Sequence, residues 1–293
     1  MHGKTCIVTG ASSGIGKETA RALARDGAHV VMVSRDLRRG EAARQDVQRS
    51  AGHDRVDLLL ADLSSQASIR EVASDILARY ENIDVMVNNA GAMYTARSLT
   101  VDGIERTFAT NHLAYMLLTH LLLDRIKAST RAGSAARIVN VSSRAHERAS
   151  MNFDDLQFER GFSVRYVYGH SKLANVLYTY ELARRLEGTG VTANCLHPGV
   201  VRTGFGRNNT SDALGLIVNG GIRIAGLFFI GAQKGAETSV YLASSPEVEG
   251  VTGKYFAQSR ERQSSAASHD RDAARRLWEI SEKMCGIATA ASV

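Results

Sequence analysis

Tyr168 and Lys172 stand four residues apart in the helical stretch YGHSKLANVLYTYELARRL. That spacing places both side chains on one face, one turn apart. A free tyrosine, with a pKa near 10, is a poor acid or base at neutral pH. A neighbouring ammonium favours the phenolate and lowers that pKa. A tyrosine tuned in this way can give a proton to a carbonyl oxygen, or take one from an alcohol. Alone, the pair reads better as two residues on a helix surface, so its force comes from context. Upstream, Ser142 and Ser143 follow the apolar run RIVNVS. A hydroxyl at the carboxyl end of a parallel strand lies where a doubly wound sheet places its ligands. One of the two serines is expected to bond a substrate oxygen, and Ser143 is the candidate. Asn111 interrupts an otherwise apolar helix, FATNHLAYMLLTHLLL. A buried amide there is structural or holds an ordered water.

The second constellation is TGASSGIG at Thr9–Gly16, between a β-branched run and a helix. Gly10 permits a tight turn, Gly14 lets the backbone approach a pyrophosphate, and Gly16 lets helix pack on strand. The helix start then offers free N–H groups to phosphates. The spacing G-x3-G-x-G meets the usual dinucleotide fingerprint only loosely, but its place after the first strand points to nucleotide binding. At the end of the second strand an acidic residue would hold a ribose 2′-hydroxyl. Ser34 and Arg35 stand there instead, and Asp36 comes one residue late. Arg35 can pair with a 2′-phosphate, and Lys17 could add charge. NADP(H) is therefore favoured over NAD(H).

These residues must be carried by a framework, and the sequence supplies one. Apolar β-rich runs at Lys4–Thr9, Ala28–Ser34, Val56–Ala61, Ile83–Asn88, Arg137–Ser142, Val191–His197 and Val251–Ala257 alternate with helical stretches. The helices are expected at Gly16–Asp26, Arg38–Ser50, Ser68–Tyr80, Val101–Ala128, Val167–Glu187, Lys234–Ala243 and Asp270–Met284. Continuous apolar strands suit a parallel sheet covered on both faces. The alternation predicts an α/β fold: a Rossmann-type doubly wound sheet of about seven strands in three αβα layers. With no composition break or linker, residues 1–293 read as one domain.

Composition limits the remaining classes. Hydrophobic residues make 44% of the 293 and charged ones 23%, ordinary for a globular protein. Net charge is +6, but the basic residues are dispersed, so nucleic-acid binding is not expected. The nine histidines form no H-E-x-x-H or comparable cluster, so no metal site is expected. Three scattered cysteines, Cys6, Cys195 and Cys285, suggest a reducing compartment, with Cys6 and Cys195 in the core. No secretory leader and no convincing membrane-spanning helix are read. A cytoplasmic location follows as the expectation, with room for loose membrane contact.

Taken together, TGASSGIG, NNAG at Asn88–Gly91, VNVSS at Val139–Ser143, YGHSK at Tyr168–Lys172 and HPG at His197–Gly199 resemble the short-chain dehydrogenase/reductase superfamily. GIGKETA, SRD, SKLANVL, ELARRLEGTGV and ARRLWEIS resemble its retinol dehydrogenase-like branch. The resemblance covers nearly the whole chain, and the motifs occur in the family's order. It implies hydride transfer between NADP(H) and a lipophilic alcohol, aldehyde or ketone. Tyr168 would be the acid/base, Lys172 would lower its pKa and bind the nicotinamide ribose, and Ser143 would polarise the carbonyl. Asn111 would hold a water in a proton relay. Gly10, Ser12, Ser13, Gly14, Ile15 and Gly16 would meet the pyrophosphate, and Arg35 the 2′-phosphate. Asp62 and Leu63 would meet the adenine, and Asn89, Ala90 and Gly91 the adenosine side. Pro198, Gly199, Val201 and Thr203 would contact the nicotinamide end. The branch's vertebrate members usually carry an N-terminal membrane segment, of which this sequence shows none. The long segment between Ser143 and Tyr168 is expected to form one wall of the substrate site.

The apolar, glycine-rich stretch Gly204–Gly231 lies where such proteins keep a substrate loop. It reads as a lid over a lipophilic substrate, as a packed or oligomeric surface, or as shallow membrane contact. The helices around Leu113–Leu123 and Leu173–Leu186 could pair across a two-fold, giving a homodimer or homotetramer. Two other functions compete with the oxidoreductase: an NADP(H)-binding sensor or scaffold without turnover, and a sugar-nucleotide epimerase or dehydratase. The intact Ser143, Tyr168, Lys172 and Asn111 disfavour the first. The short chain after Ala257 disfavours the second.

Overall fold

The computed structural model describes residues 1–131, 134–199 and 231–287. Eight strands form one sheet: β1 (Thr5–Thr9), β2 (His29–Ser34), β3 (Val56–Leu60), β4 (Val85–Asn88), β5 (Ala136–Val141), β6 (Val191–Leu196), β7 (Tyr255–Ala257) and β8 (Arg260–Arg262). Their order is β3-β2-β1-β4-β5-β6-β7-β8. All neighbours are parallel except β7 and β8. Chain direction across the sheet reverses between β1 and β4. Their carboxyl ends therefore flank the crevice where open α/β sheets bind ligands.

The period of two along each strand sorts the core into two layers. Ile7 faces one side; Cys6 and Val8 face the other. On the Ile7 side pack α3 (Gln66–Arg79), α5 (Ala114–Ala128), α6 (Val164–Arg185) and the C-terminal α8 (Arg271–Met284). On the opposite side pack α1 (Gly14–Arg25), α2 (Leu37–Ala51) and α7 (Ala232–Ser244). Cys6, Cys195 and Cys285 are buried free thiols.

Two elements differ from the sequence expectation. The expected helix Val101–Ala128 starts later, with the single turn α4 (Arg106–Phe108), which runs through a π-helical turn (Ala109–Leu113) into α5. Val101 lies in an exposed turn, and Glu105 caps the helix, its carboxylate accepting from the Thr107 and Phe108 N–H groups. Strand β8 was not foreseen. It reads Arg-Glu-Arg, wholly exposed at the sheet edge, and carries no apolar signal.

Of the two helices expected to meet a second copy, α6 is covered on one face by the chain itself. Helix α8 lies on α6, with Trp278 stacked on Tyr178 at 5.5 Å and Leu277 buried beside it. The Arg185 guanidinium sits over the Trp278 ring at 4.3 Å. An oligomer using this face would have to displace α8.

Candidate active site

The glycine loop is built as its spacing requires. Gly10 and Gly14 have φ of 66° and 57°, conformations that favour glycine. A Cβ on Gly10 would lie 2.8 Å from the Ala90 Cα. A Cβ on Gly16 would collide with Asn89 Nδ2 and the Gly10 carbonyl, so only glycine lets α1 start this close to β4. Ser13 precedes α1 without a side-chain cap, leaving the first N–H groups of that helix for a ligand. Asn89 ties the loop down, donating from Nδ2 to the Thr9 carbonyl at 2.8 Å. Thr9 Oγ1 accepts the Asn89 and Ala90 N–H groups. Gly16→Ala is expected to lower Tm by several degrees and weaken dinucleotide binding by about tenfold. Titration of protein fluorescence with NADPH checks it, and unchanged affinity would refute it.

Charge at the second strand is arranged for an anion. Arg35 is exposed. Asp36 is turned to its own helix, its carboxylate capping α2 through the Arg39 N–H at 2.8 Å. Arg39, which sequence reasoning passed over as a mere basic pair, reaches back to Ser13 Oγ at 3.4 Å. Lys17, by contrast, is paired with Asp46 at 2.6 Å. On the adenine side, Asp62 accepts from the Ser64 N–H and hydroxyl beside the buried Leu63.

Ser143, Tyr168, Lys172 and Asn111 converge at the carboxyl ends of β4 and β5. Ser142 and Ser143 divide the work that sequence left open. Ser142 is buried and donates to the Lys172 carbonyl at 2.7 Å, which pins α6 to the sheet. Ser143 is partly exposed and shares a side-chain hydrogen bond with Tyr168. Gly169 makes that meeting possible: a Cβ there would lie 2.9 Å from the Ala145 carbonyl, so α6 closes directly on the turn after Ser143. His146 Nδ1 donates to the Ser143 carbonyl at 2.7 Å and braces the turn. The Lys172 Nζ is buried, donates to the Val141 carbonyl at 3.0 Å, and lies 5.7 Å from the centre of the Tyr168 ring. A Cβ on Gly91 would come within 3.3 Å of that Nζ and 3.4 Å of Asn111 Oδ1, so the backbone at Gly91 runs close beside both.

One expectation is corrected here. The lysine was expected to pull the tyrosine pKa down. Burial instead pushes Tyr168 up to about 12, opposed only by the Ser143 bond. Burial also lowers Lys172 to about 7, which weakens its charge at neutral pH. Both polar atoms of the Asn111 side chain have partners in the chain. Its Oδ1 accepts from the Ala92 N–H at 2.8 Å, and its Nδ2 donates to the Ala92 carbonyl and Ser171 Oγ at 2.9 and 3.0 Å. The side chain thus fixes the chain just after Gly91.

Pro198 and Gly199 follow β6 in a turn, where Gly199 has φ of 86° and its N–H donates to His197 Nδ1 at 3.0 Å. Val201, Thr203 and all of the Gly204–Gly231 stretch except Gly231 lie outside the described residues. Sequence reasoning missed Thr9, Arg39, His146, Gly169 and Ser171. Only Gly169 carried a visible signal, a glycine inside a helical stretch.

This architecture places a glycine loop and a Ser-Tyr-Lys set on one crevice. The family model for short chain dehydrogenase matches residues 4–214, and the chain belongs to that family. Retinol dehydrogenase 14 of Mus musculus is 44% identical over 98% of this chain and 87% of its own length. Retinol dehydrogenase 12 of Mus musculus is 42% identical over 98% and 88%. Within the family the chain falls in this retinol dehydrogenase-like branch. Among solved structures, an uncharacterised protein from Mycobacterium Paratuberculosis has a TM-score of 0.75 at 33% identity, covering 97% of this chain and 94% of that one. The Pseudomonas aeruginosa RhlG/NADP active-site complex has a TM-score of 0.68 at 25% identity, covering 87% and 94%.

Proposed function

We propose that this protein is an NADP(H)-dependent oxidoreductase that interconverts a carbonyl and an alcohol on a lipophilic substrate. The observation that carries the reading is the Ser143–Tyr168 hydrogen bond beside buried Lys172, in the crevice that also holds the glycine loop. The residues fit a dinucleotide. Gly10, Ser12, Ser13, Gly14, Ile15 and Gly16 would hold the pyrophosphate, and Asp62, Leu63, Asn89, Ala90 and Gly91 the adenosine side. Tyr168 and Lys172 would hold the nicotinamide ribose, and Pro198 and Gly199, with Val201 and Thr203, the nicotinamide end. When bound, the nicotinamide supplies or accepts hydride at the carbonyl carbon.

The chain's own groups do the rest. A tyrosine raised to about 12 is protonated at neutral pH and suited to donate to the carbonyl oxygen. Ser143 donates to the same oxygen and keeps Tyr168 aligned with it. Lys172 places its Nζ near the phenol and the ribose, positively charged below a pH of about 7. Asn111 holds the Gly91–Ala92 backbone against them. The names of the relatives support a lipophilic alcohol or aldehyde as substrate. Among the described residues no helix is long and apolar enough to cross a membrane.

Preference for the 2′-phosphate rests on two arginines and on an aspartate already committed to a helix cap. The test is loss of NADPH absorbance with a panel running from short aldehydes through quinones and steroids to retinal. Turnover of long apolar carbonyls is the expected result. Tight NADPH binding with no turnover of any of them would favour a sensor instead. Arg35→Glu is expected to raise the KM for NADPH at least tenfold while changing that for NADH little, since one charge-assisted pair is lost. Equal effects on both would refute the phosphate assignment.

A further inference from the structure

Behind Asn111, on the side away from the crevice, polar groups form a line through an apolar helix pair. Asn175 Nδ2 donates to the Asn111 backbone carbonyl at 2.9 Å. Asn175 Oδ1 lies 3.3 Å from His112 Nδ1, and His112 Nε2 lies 3.0 Å from Ser281 Oγ on α8. All four residues are fully buried. The chemistry assigns each proton. An amide oxygen only accepts, so His112 Nδ1 carries its hydrogen. Burial keeps the imidazole neutral, so Nε2 is bare and the Ser281 hydroxyl donates to it. Every donor in the line therefore points toward Asn111.

That direction has a purpose. Were the Asn175 amide turned over, its oxygen would face the Asn111 carbonyl, a repulsive contact in place of a bond that no tautomer of His112 relieves. The Asn111 carbonyl thus selects one orientation of Asn175, and His112, donating from Nδ1, holds it there. His112 also sits in the π turn with Asn111, its ring held by Phe108 at 5.0 Å and by the edge of Tyr178 at 5.9 Å. Single π turns inside α-helices occur frequently at functional sites.

We propose that His112, anchored by Ser281 of the C-terminal helix, is a positioning residue for the reaction at Tyr168. Through Asn175 it fixes the Asn111 carbonyl and the π turn, and through Asn111 it fixes Ala92 and Gly91 beside Lys172. The inference rests on the functional reading above. Its reach follows from the sensitivity of oriented reactions, in which a misplacement of about 1 Å can cost on the order of 100-fold.

The experiment uses the full chain with NADPH and the best carbonyl of the panel, with rates expressed per NADPH-binding site so that misfolded molecules drop out. His112→Phe is expected to lower kcat at least tenfold with the KM for NADPH changed less than about threefold. His112→Gln, whose amide can donate to Asn175 Oδ1, is expected to recover most of that loss. Ser281→Ala, a milder change at the far end, is expected to lower kcat about threefold. Nitrogen-15 NMR of the native protein is expected to show His112 protonated on Nδ1 alone. Unchanged kcat in His112→Phe, no recovery in His112→Gln, or a proton on Nε2 in the native protein would each overturn the proposal. A native protein that reduces no carbonyl would bring down the functional reading and this kinetic role with it. A native enzyme with the wrong imidazole tautomer would sink the positioning role alone.

Discussion

Tyr168→Phe is expected to lose about 10²- to 10⁴-fold in kcat, the range associated with removing a general acid, while binding NADPH within a few-fold of the native protein. The phenyl ring keeps its place on α6, one turn from Lys172, and only the hydroxyl goes. What is lost in the fold is the bond to Ser143, worth about 1 kcal/mol net, so Tm should move by only a few degrees. The pH dependence follows from the same group. Reduction uses the protonated phenol, which burial preserves across the neutral range, so its rate should be nearly flat on account of Tyr168 from pH 6 to 8. Alcohol oxidation needs the phenolate. Its rate should therefore climb with pH toward the raised value, and the climb should vanish in Tyr168→Phe. Steady-state rates in both directions over pH 6–10 make the check. A phenylalanine variant with native kcat would remove Tyr168 from the chemistry.

Much of this site was legible because its signals are local. Gly10, Gly14 and Gly16 announce a backbone shape, and Tyr168 and Lys172 announce a face, since four residues along a helix is a spatial statement. The sheet was legible for a related reason. Strands covered on both sides have no polar period, and β1, β2, β4, β5 and β6 read as apolar runs. Strand β8 failed that test because it is an exposed edge of Arg-Glu-Arg, formed only because β7 offers it partners. Asn111 was visible as an amide among apolar residues, but its partners were not. Ala92 lies in the loop after β4, and Asn175 comes from α6. The sign of the Tyr168 shift was also beyond sequence. Spacing reported the lysine, but the depth at which both groups lie is set by the sheet, the π turn and the close approach at Gly169. Burial sets the sign here, opposed by the Ser143 bond.

Burial of Lys172 leads to the other large expected effect, in which activity and stability move in opposite directions. Its pKa falls from 10.5 to about 7 because the ammonium is taken out of water. Between those values the unfolded chain binds more protons than the folded one, so stability rises with pH from about 7 to 10.5. At and below pH 7 the buried charge is most costly. At 1.36 kcal/mol per pKa unit, that cost is on the order of a few kcal/mol. Lys172→Met keeps a long unbranched chain and removes the charge. It gives up the bond to the Val141 carbonyl, a loss of about 1 kcal/mol. The variant should therefore be more stable than the native protein at pH 6.5, by about 1–3 kcal/mol, and should lose the rise in stability toward pH 10. Its kcat should fall by about 100-fold, because neither the phenol nor the ribose then has a cation beside it. Thermal unfolding at pH 6.5 and 9.5, alongside carbonyl reduction, measures both. A methionine variant less stable than the native protein at pH 6.5 would mean that the lysine stabilises the fold. A variant more stable but fully active would leave Tyr168 and Ser143 to work without it.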